Sequence, residues 1–245
     1  MRIDIFRLTP LFLAGLFMLP FSLAQAAISL DRTRVIFGGD NKSVSLNIRN
    51  DNKELPYLAQ AWVENEQSQK VSGPIVVLPP LQRVEPGAGG QVKLVKTPEV
   101  ASLPEDRESL FYFNLREVPP RSEQANTMQI ALQTKIKLFY RPKAITPNTG
   151  DVWQERLAVS IAGHGFQIEN PTPYYVTISD MQDSSDKRES SEFTPVMLPP
   201  FSSRQIALTA GIITSPVLTF INDYGGYQKQ KYACEATRCQ IKKSR

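Results

Sequence analysis

One histidine, His164, and two cysteines, Cys234 and Cys239, are all that 245 residues offer of the side chains most used for metal ligation and covalent catalysis. A lone histidine cannot give a metal its usual histidine pair, and HGFQI sets this one on a turn beside glycine, as a surface residue. No serine sits in the glycine frame of a nucleophile elbow, and no glycine-rich loop is built to cradle phosphate. Glu64 and Glu66 are spaced as same-face strand neighbours, but exposed sandwich edges carry such pairs routinely, so they make no glycosidase. The acidic stretch Asp180 to Glu192 lacks the central glycine and spacing of a calcium loop and reads as a solvated loop. No catalytic residue, metal site or cofactor is predicted; the chain is not read as an enzyme.

Other absences narrow the class further. After residue 26 no stretch approaches about 18 consecutive apolar residues, so no membrane insertion is expected of that part. Lys and Arg number 28 against 24 Asp and Glu, a formal charge of +4, and they are interspersed. There is no basic block of the kind that binds nucleic acid, and none is expected as a partner. No long stripe of period 3.6 occurs, so helices do not build the core.

The one long apolar run lies at the start. In MRIDIFRLTPLFLAGLFMLPFSLAQA, Arg2 and Arg7 precede an apolar stretch from Leu8 to Leu23, broken by Pro10 and Pro20. It closes on Ala24-Gln25-Ala26, the small-x-small pattern of a signal-peptidase site. Residues 1–26 are therefore a signal peptide, and the mature chain starts at Ala27 with 245 − 26 = 219 residues. An exported chain meets an oxidising compartment, so Cys234 and Cys239 are expected to be disulfide-bonded across a short hairpin.

What remains is almost all strand. SVSLNIR (43–49), LAQAWV (58–63), QVKLV (91–95) and LFYFNL (110–115) alternate or run apolar between turn signals such as Gly38-Gly39-Asp40-Asn41. Ile75 to Leu78 is a short strand ended by Pro79-Pro80, and Arg83 to Gly90 reads as a loop. About seven strands in the roughly 115 residues up to Tyr140 are the pattern of an immunoglobulin-like sandwich. The composition then shifts through RPKAITPNTG, a hinge, to a second set of short strands. The fold class is all-β, with two immunoglobulin-like β-sandwich domains at 27–142 and 143–245.

One strand stands out. In TMQIALQTKIKLFYRP (127–142), Met128, Ile130, Leu132, Ile136 and Leu138 recur with a period of two, with Thr134 interrupting. Lys135 and Lys137 fall on the other parity. The stripe is either part of this chain's own core or an apolar surface kept for a partner.

ISLDRTRVIF, NDNKELPYLAQAWVENE, DRESLFYFNLREVPPRSE, QIALQTKIKLFYRP, ENPTPYYVT and INDYGG, spread over both domains, resemble the periplasmic pilus (fimbrial) chaperones, those of the P-pilus type in particular. The resemblance implies an L-shaped pair of sandwiches with a cleft between them, located in the periplasm. It further implies donor-strand complementation, in which a long edge strand (about 126–140) fills the groove of a pilus subunit that lacks its last strand. Partners implied are pilus subunits, both pilins and adhesin, and an outer-membrane usher. Met128, Ile130 and Leu132 match the alternating donor residues. Arg34 and Lys137 match the pair that anchors the subunit's terminal carboxylate. Glu108, Arg141 and Asp223 match an interdomain charged cluster. The short loop from Pro119 to Asn126 resembles the branch that builds rod-like pili. Lys137 is odd-numbered and the donors even, so either a bulge intervenes or the anchor is approached from the other face. The competing class is a secreted sandwich-fold structural or adhesive subunit. Such a subunit would be about one domain long with its own N-terminal donor extension; this chain has two domains and starts its first strand at once.

Overall fold

Alternating apolar residues can bury themselves only by pairing sheets face to face, and two such pairings account for the described chain. The computed structural model describes residues 27–183, 193–207 and 215–242, so the predicted signal peptide lies outside the described residues. The first nine strands are β1 (Ile28–Leu30), β2 (Arg34–Gly38), β3 (Ser43–Asn50), β4 (Tyr57–Glu64), β5 (Ile75–Leu78), β6 (Leu81–Val84), β7 (Gly89–Lys96), β8 (Ser109–Val118) and β9 (Gln133–Arg141). They make one sheet ordered β1-β3-β7-β5 and another ordered β2-β9-β8-β4-β6. Val35, Phe37, Leu46, Leu94, Phe113 and Leu138 close the space between them. The pairing of β2 with β9 is parallel, setting Arg34 opposite Lys137 and Gly38 opposite Arg141.

β9 is shorter than the expected donor strand of about 126–140. It starts at Gln133, and the last backbone tie before it runs from the Glu117 N–H to the Leu132 carbonyl at 3.0 Å. Beyond Val118 the neighbouring chain is Pro119-Pro120, which has no N–H to extend the ladder. On its other side β2 reaches back only to the level of Lys137. Residues 126–132 therefore have no strand on either side. The predicted edge strand is also covered by β2 over Lys137 to Arg141, leaving its edge open only at 133–136.

The apolar stripe divides at Thr134. Ile136, Leu138 and Tyr140 belong to the first core. Met128, Ile130 and Leu132 are 87%, 68% and 42% exposed. The core reading thus holds for Ile136 and Leu138, while Met128, Ile130 and Leu132 stand outside the core. β6 falls within a stretch taken for turn and loop. Of its four residues only Val84 is buried, so it shows no apolar alternation, and its pairing with β4 alone makes it a strand.

The remaining strands are β10 (Ala158–Ala162), β11 (Gly165–Asn170), β12 (Val176–Asp183), β13 (Val196–Leu198), β14 (Ser202–Ala207), β15 (Pro216–Ile221), β16 (Tyr227–Glu235) and β17 (Arg238–Ile241). They hydrogen-bond in the order β13-β12-β15-β16-β17-β10-β11-β14. β16 pairs with β15 through Tyr227 to Lys231 and with β17 through Tyr232 to Glu235, so it carries the ladder from one layer to the other. Phe166, Ile168, Ile178, Leu218, Phe220 and Tyr232 fill this second core. Cys234 and Cys239 face each other across β16 and β17 and are bonded. His164 is exposed in the turn between β10 and β11. The stretch expected to be a loop from Asp180 is strand up to Asp183, with Met181 buried, and residues 184–192 lie outside the described residues.

The divided stripe makes a paired prediction. Leu138→Ala removes a fully buried side chain and is expected to cost about 2–5 kcal/mol, whereas Ile130→Asp should change stability by no more than about 0.5 kcal/mol. Urea titration of both variants measures the contrast; a large loss for Ile130→Asp would mean that this residue packs in the chain's own core.

Candidate functional site

Where the two sandwiches meet, one guanidinium is almost enclosed. Arg141 ends β9 on the face opposite Tyr140 and points toward the second sandwich; its side chain is 7% exposed. Its Nε donates to Glu108 Oε1 at 2.8 Å, and its Nη1 and Nη2 donate to the two Asp223 oxygens at 2.8 and 3.1 Å. The rings of Trp153 and Tyr174 stand 5.0 and 4.9 Å from its central carbon. Glu108, Arg141 and Asp223 are thus brought together, and Glu108 is tied to the second sandwich twice more. Its N–H donates to the Pro173 carbonyl at 2.9 Å, and its Oε2 accepts from the Tyr175 N–H at 2.8 Å. Burial pushes the Glu108 carboxyl up to about 7, against the opposing pull of Arg141 and the Tyr175 amide.

A few residues along the same face lie Arg34 and Lys137. Partners across a ladder share a face, and neighbouring strands are about 4.8 Å apart, so the two cations stand side by side. The Arg34 Nη1 donates to the Ile221 carbonyl at 3.3 Å, while its Nε is buried with no partner among the described residues. Lys137 makes no hydrogen bond or ion pair among the described residues. Burial lowers both pKa values, and Arg34 lowers that of Lys137 further. Two partly desolvated cations side by side on one face can both donate to one carboxylate. β8 and β9 pair without a register shift from Gln133 to Tyr140, so no bulge lies within that ladder; Lys137 lies on the outer face, opposite Ile136 and Leu138.

Several contacts at this junction were not singled out from the sequence. The Tyr175 hydroxyl donates to Glu66 Oε1 at 2.7 Å, and the Tyr175 ring packs 5.5 Å from that of Phe139. Glu64 accepts from Lys135 Nζ and from Trp62 Nε1, each at 2.7 Å. Glu66 lies beyond the end of β4, so it is not a same-strand neighbour of Glu64, and both carboxylates are engaged structurally. The signal for Tyr175 was its place in PTPYYVT, where prolines fix the chain entering β12, but nothing local points to a glutamate 109 residues away. Among the described residues no group of three or more His, Cys, Asp or Glu is arranged to hold a metal.

Residues 27–146 match the N-terminal domain of PapD, a pili and flagellar-assembly chaperone, and residues 152–232 match the C-terminal domain of the pili assembly chaperone PapD. Chaperone protein PapD of Escherichia coli is 53% identical over 223 residues, covering 91% of this chain and 92% of its own. Chaperone protein PmfD of Proteus mirabilis strain HI4320 is 44% identical over 221 residues, covering 89% and 87%. Among solved structures, the Salmonella enterica SafA pilin in complex with the SafB chaperone holds a chain that is 26% identical. The match covers 87% of this chain and 99% of that one, with a TM-score of 0.73. These relatives are named as chaperones, not as enzymes.

The buried carboxyl of the cluster gives a pH prediction. A group whose pKa rises from 4.5 to about 7 on folding contributes stability that is fully present below pH 4.5 and is lost as pH climbs through about 7. The contribution is on the order of 3 kcal/mol. Glu108→Gln, which keeps the shape and cannot ionise, should flatten this fall. Denaturant midpoints of both proteins from pH 5 to 8 test it; parallel curves would place the ionised form in the fold throughout.

Proposed function

This chain belongs to the PapD family of pilus chaperones, and from that premise we propose that it caps pilus subunits in the periplasm by lending them a strand. Residues 1–26 direct export and are removed. The unit at 27–142 supplies the donor segment, and the unit at 143–245 completes the cleft. The segment from Met128 to Leu132 enters a subunit groove that lacks its last strand, a mode of strand addition for which chaperone–pilin pairs are the standing example. Alternate side chains point one way along an extended chain, so Met128, Ile130 and Leu132 fill successive positions of that groove. Full burial of such side chains is worth about 1.5–3 kcal/mol each. Methionine at the first position adapts to its surroundings more readily than a branched residue.

The observation that carries this reading is the pairing of Arg34 with Lys137, two partly buried cations at the inner end of an exposed apolar segment. A subunit strand lying along that segment with its terminal carboxylate on these cations must run in the same direction as β9. It would continue the line of β2 along the edge that β2 leaves open, so the parallel pairing already present in β2 and β9 supports a parallel addition. From Met128 to Lys137 the span is about 30 Å at roughly 3.3 Å per residue. A fixed end point sets the register, which decides which side chains meet the groove. Pilins and the adhesin are the proposed clients, and the capped subunits are passed to an outer-membrane usher.

Arg34→Ala or Lys137→Ala should therefore abolish subunit capture while leaving the fold intact, because a buried carboxylate that loses one partner costs about 2–5 kcal/mol. Ile130→Asp should do the same by a different route, forcing a charge into an apolar groove. Co-purification of a pilin from periplasm, with circular dichroism of the free variants, reads both. Undiminished capture by the two cation variants would remove the anchor, and undiminished capture by Ile130→Asp would remove the donor segment.

A further inference from the structure

Gly225 lies in the turn between β15 and β16, and its neighbour in space is on the other sandwich. Its φ is +84°, a conformation that L side chains rarely adopt. A Cβ built on it would lie 2.4 Å from Thr33 Oγ1 and 3.7 Å from Thr33 Cβ. Thr33 immediately precedes Arg34.

The turn itself is firmly built. The Asn222 Oδ1 accepts from the N–H groups of Tyr224 and Gly226 at 3.0 and 2.8 Å. Its backbone N–H donates to the Gly226 carbonyl at 2.9 Å, and the Gly225 N–H donates to the Asn222 carbonyl at 3.0 Å. Asp223, next in the chain, is the Arg141 partner, and Ile221, just before the turn, offers the carbonyl that holds Arg34. One turn of the second sandwich thus touches the first at Thr33, Arg34 and Arg141.

We propose that the Asn222 to Gly226 turn positions Arg34 for the carboxylate of a pilus subunit, with Gly225 as the positioning residue that lets the turn come close enough. The inference rests on the anchor reading of Arg34 and adds that its guanidinium is set from the other sandwich. With the turn seated, the Ile221 carbonyl takes one Arg34 nitrogen and leaves the rest of the fork toward Lys137. With the turn lifted by a methyl group against Thr33, that contact, already 3.3 Å long, opens and Arg34 is no longer held. The Arg34 and Lys137 pair then loses its geometry while both cores stay untouched.

The test uses the whole mature chain and the C-terminal peptide of a pilin encoded with it, prepared as the free acid and as the C-terminal amide. The wild type should prefer the free acid. In Gly225→Ala, affinity for the free acid should fall about tenfold or more, toward that of the amide, with unchanged circular dichroism and an intact Cys234–Cys239 bond. Adding Thr33→Ala removes the hydroxyl 2.4 Å away and leaves only the Cβ at 3.7 Å, so the double variant should regain the part of the preference lost to that contact, while the strain of a side chain at φ +84° remains. Loss of a fold, by contrast, would not be rescued by shaving Thr33. Retention of the free-acid preference by folded Gly225→Ala, or no gain at all on adding Thr33→Ala, would overturn the proposal. Arg34→Ala run alongside separates the two levels. If it keeps the preference, the anchor reading itself fails. If it loses the preference while Gly225→Ala does not, only the positioning role fails.

Discussion

The Arg141 guanidinium, shared between a carboxylate of each sandwich, is the contact on which the rest of this molecule depends. Burying one unpaired charge is far more costly than any single apolar contact at the junction is favourable. Withdrawing either Glu108 or Asp223 would leave Arg141 with a single carboxylate, and removing one partner of a buried ion pair typically costs about 3–5 kcal/mol. The geometry matters as much as the energy. A planar fork accepts carboxylates in a few directions only, so each pairing fixes an angle as well as a distance. The tilted rings of Phe139 and Tyr175 would tolerate sliding; the forked contacts do not. The Glu108 main chain and carboxylate then hold Pro173 and Tyr175, so the entry to β12 is fixed to the end of the first sandwich.

Residues 126–141 set buried and exposed apolar side chains end to end. Apolar residues raise stability when they are buried, and serve a partner only when they are not. The segment separates the demands along its length: Ile136, Leu138 and Tyr140 are spent on the core, while Met128, Ile130 and Leu132 contribute nothing to it. It separates them a second time across its faces, since Lys137 and Arg141 turn away from the core toward the junction. The change from one regime to the other coincides with Thr134 and with the two prolines that stop β8 from following. An exposed apolar segment is ordinarily an aggregation hazard. Here the adjoining Pro-Pro and the absence of a flanking strand keep residues 126–132 from presenting a ready-made ladder.

Much of this was legible before any coordinates. Alternation gave the sandwiches because a half-buried strand has only one way to arrange its side chains, and the motif resemblance picked out Arg34, Lys137, Glu108, Arg141 and Asp223. What was not legible had physical causes. β6 is an edge strand in which Val84 alone is buried, so its identity lies in its partner rather than in its own sequence. The start of β9 is decided by the lack of N–H groups on another stretch of chain, which the apolar period cannot report. The bond between Tyr175 and Glu66 joins residues that have no local relation. The orientation of Lys137 relative to Ile136 and Leu138 needed the register of two ladders.

The charges at the junction form a single system. Arg34, Lys137 and Arg141 bring three positive charges to one face, against Glu108 and Asp223 with two negative, an excess of one when all five are ionised. The excess is not spread evenly. Both carboxylates are committed to Arg141, so the unbalanced charge sits at Arg34 and Lys137, where the Arg34 Nε is buried without a partner. Mutual repulsion and desolvation both act against holding two cations there. The arrangement stands because the Arg141 cluster fixes the sandwiches strongly enough to bear that strain, and because the Glu108 and Asp223 charges also act on Arg34 from nearby. A single carboxylate arriving from outside would bring the five-group system to neutrality. The same buried contact that joins the sandwiches thus stands beside the charge imbalance at Arg34 and Lys137 on which the proposed capture of a chain's end rests.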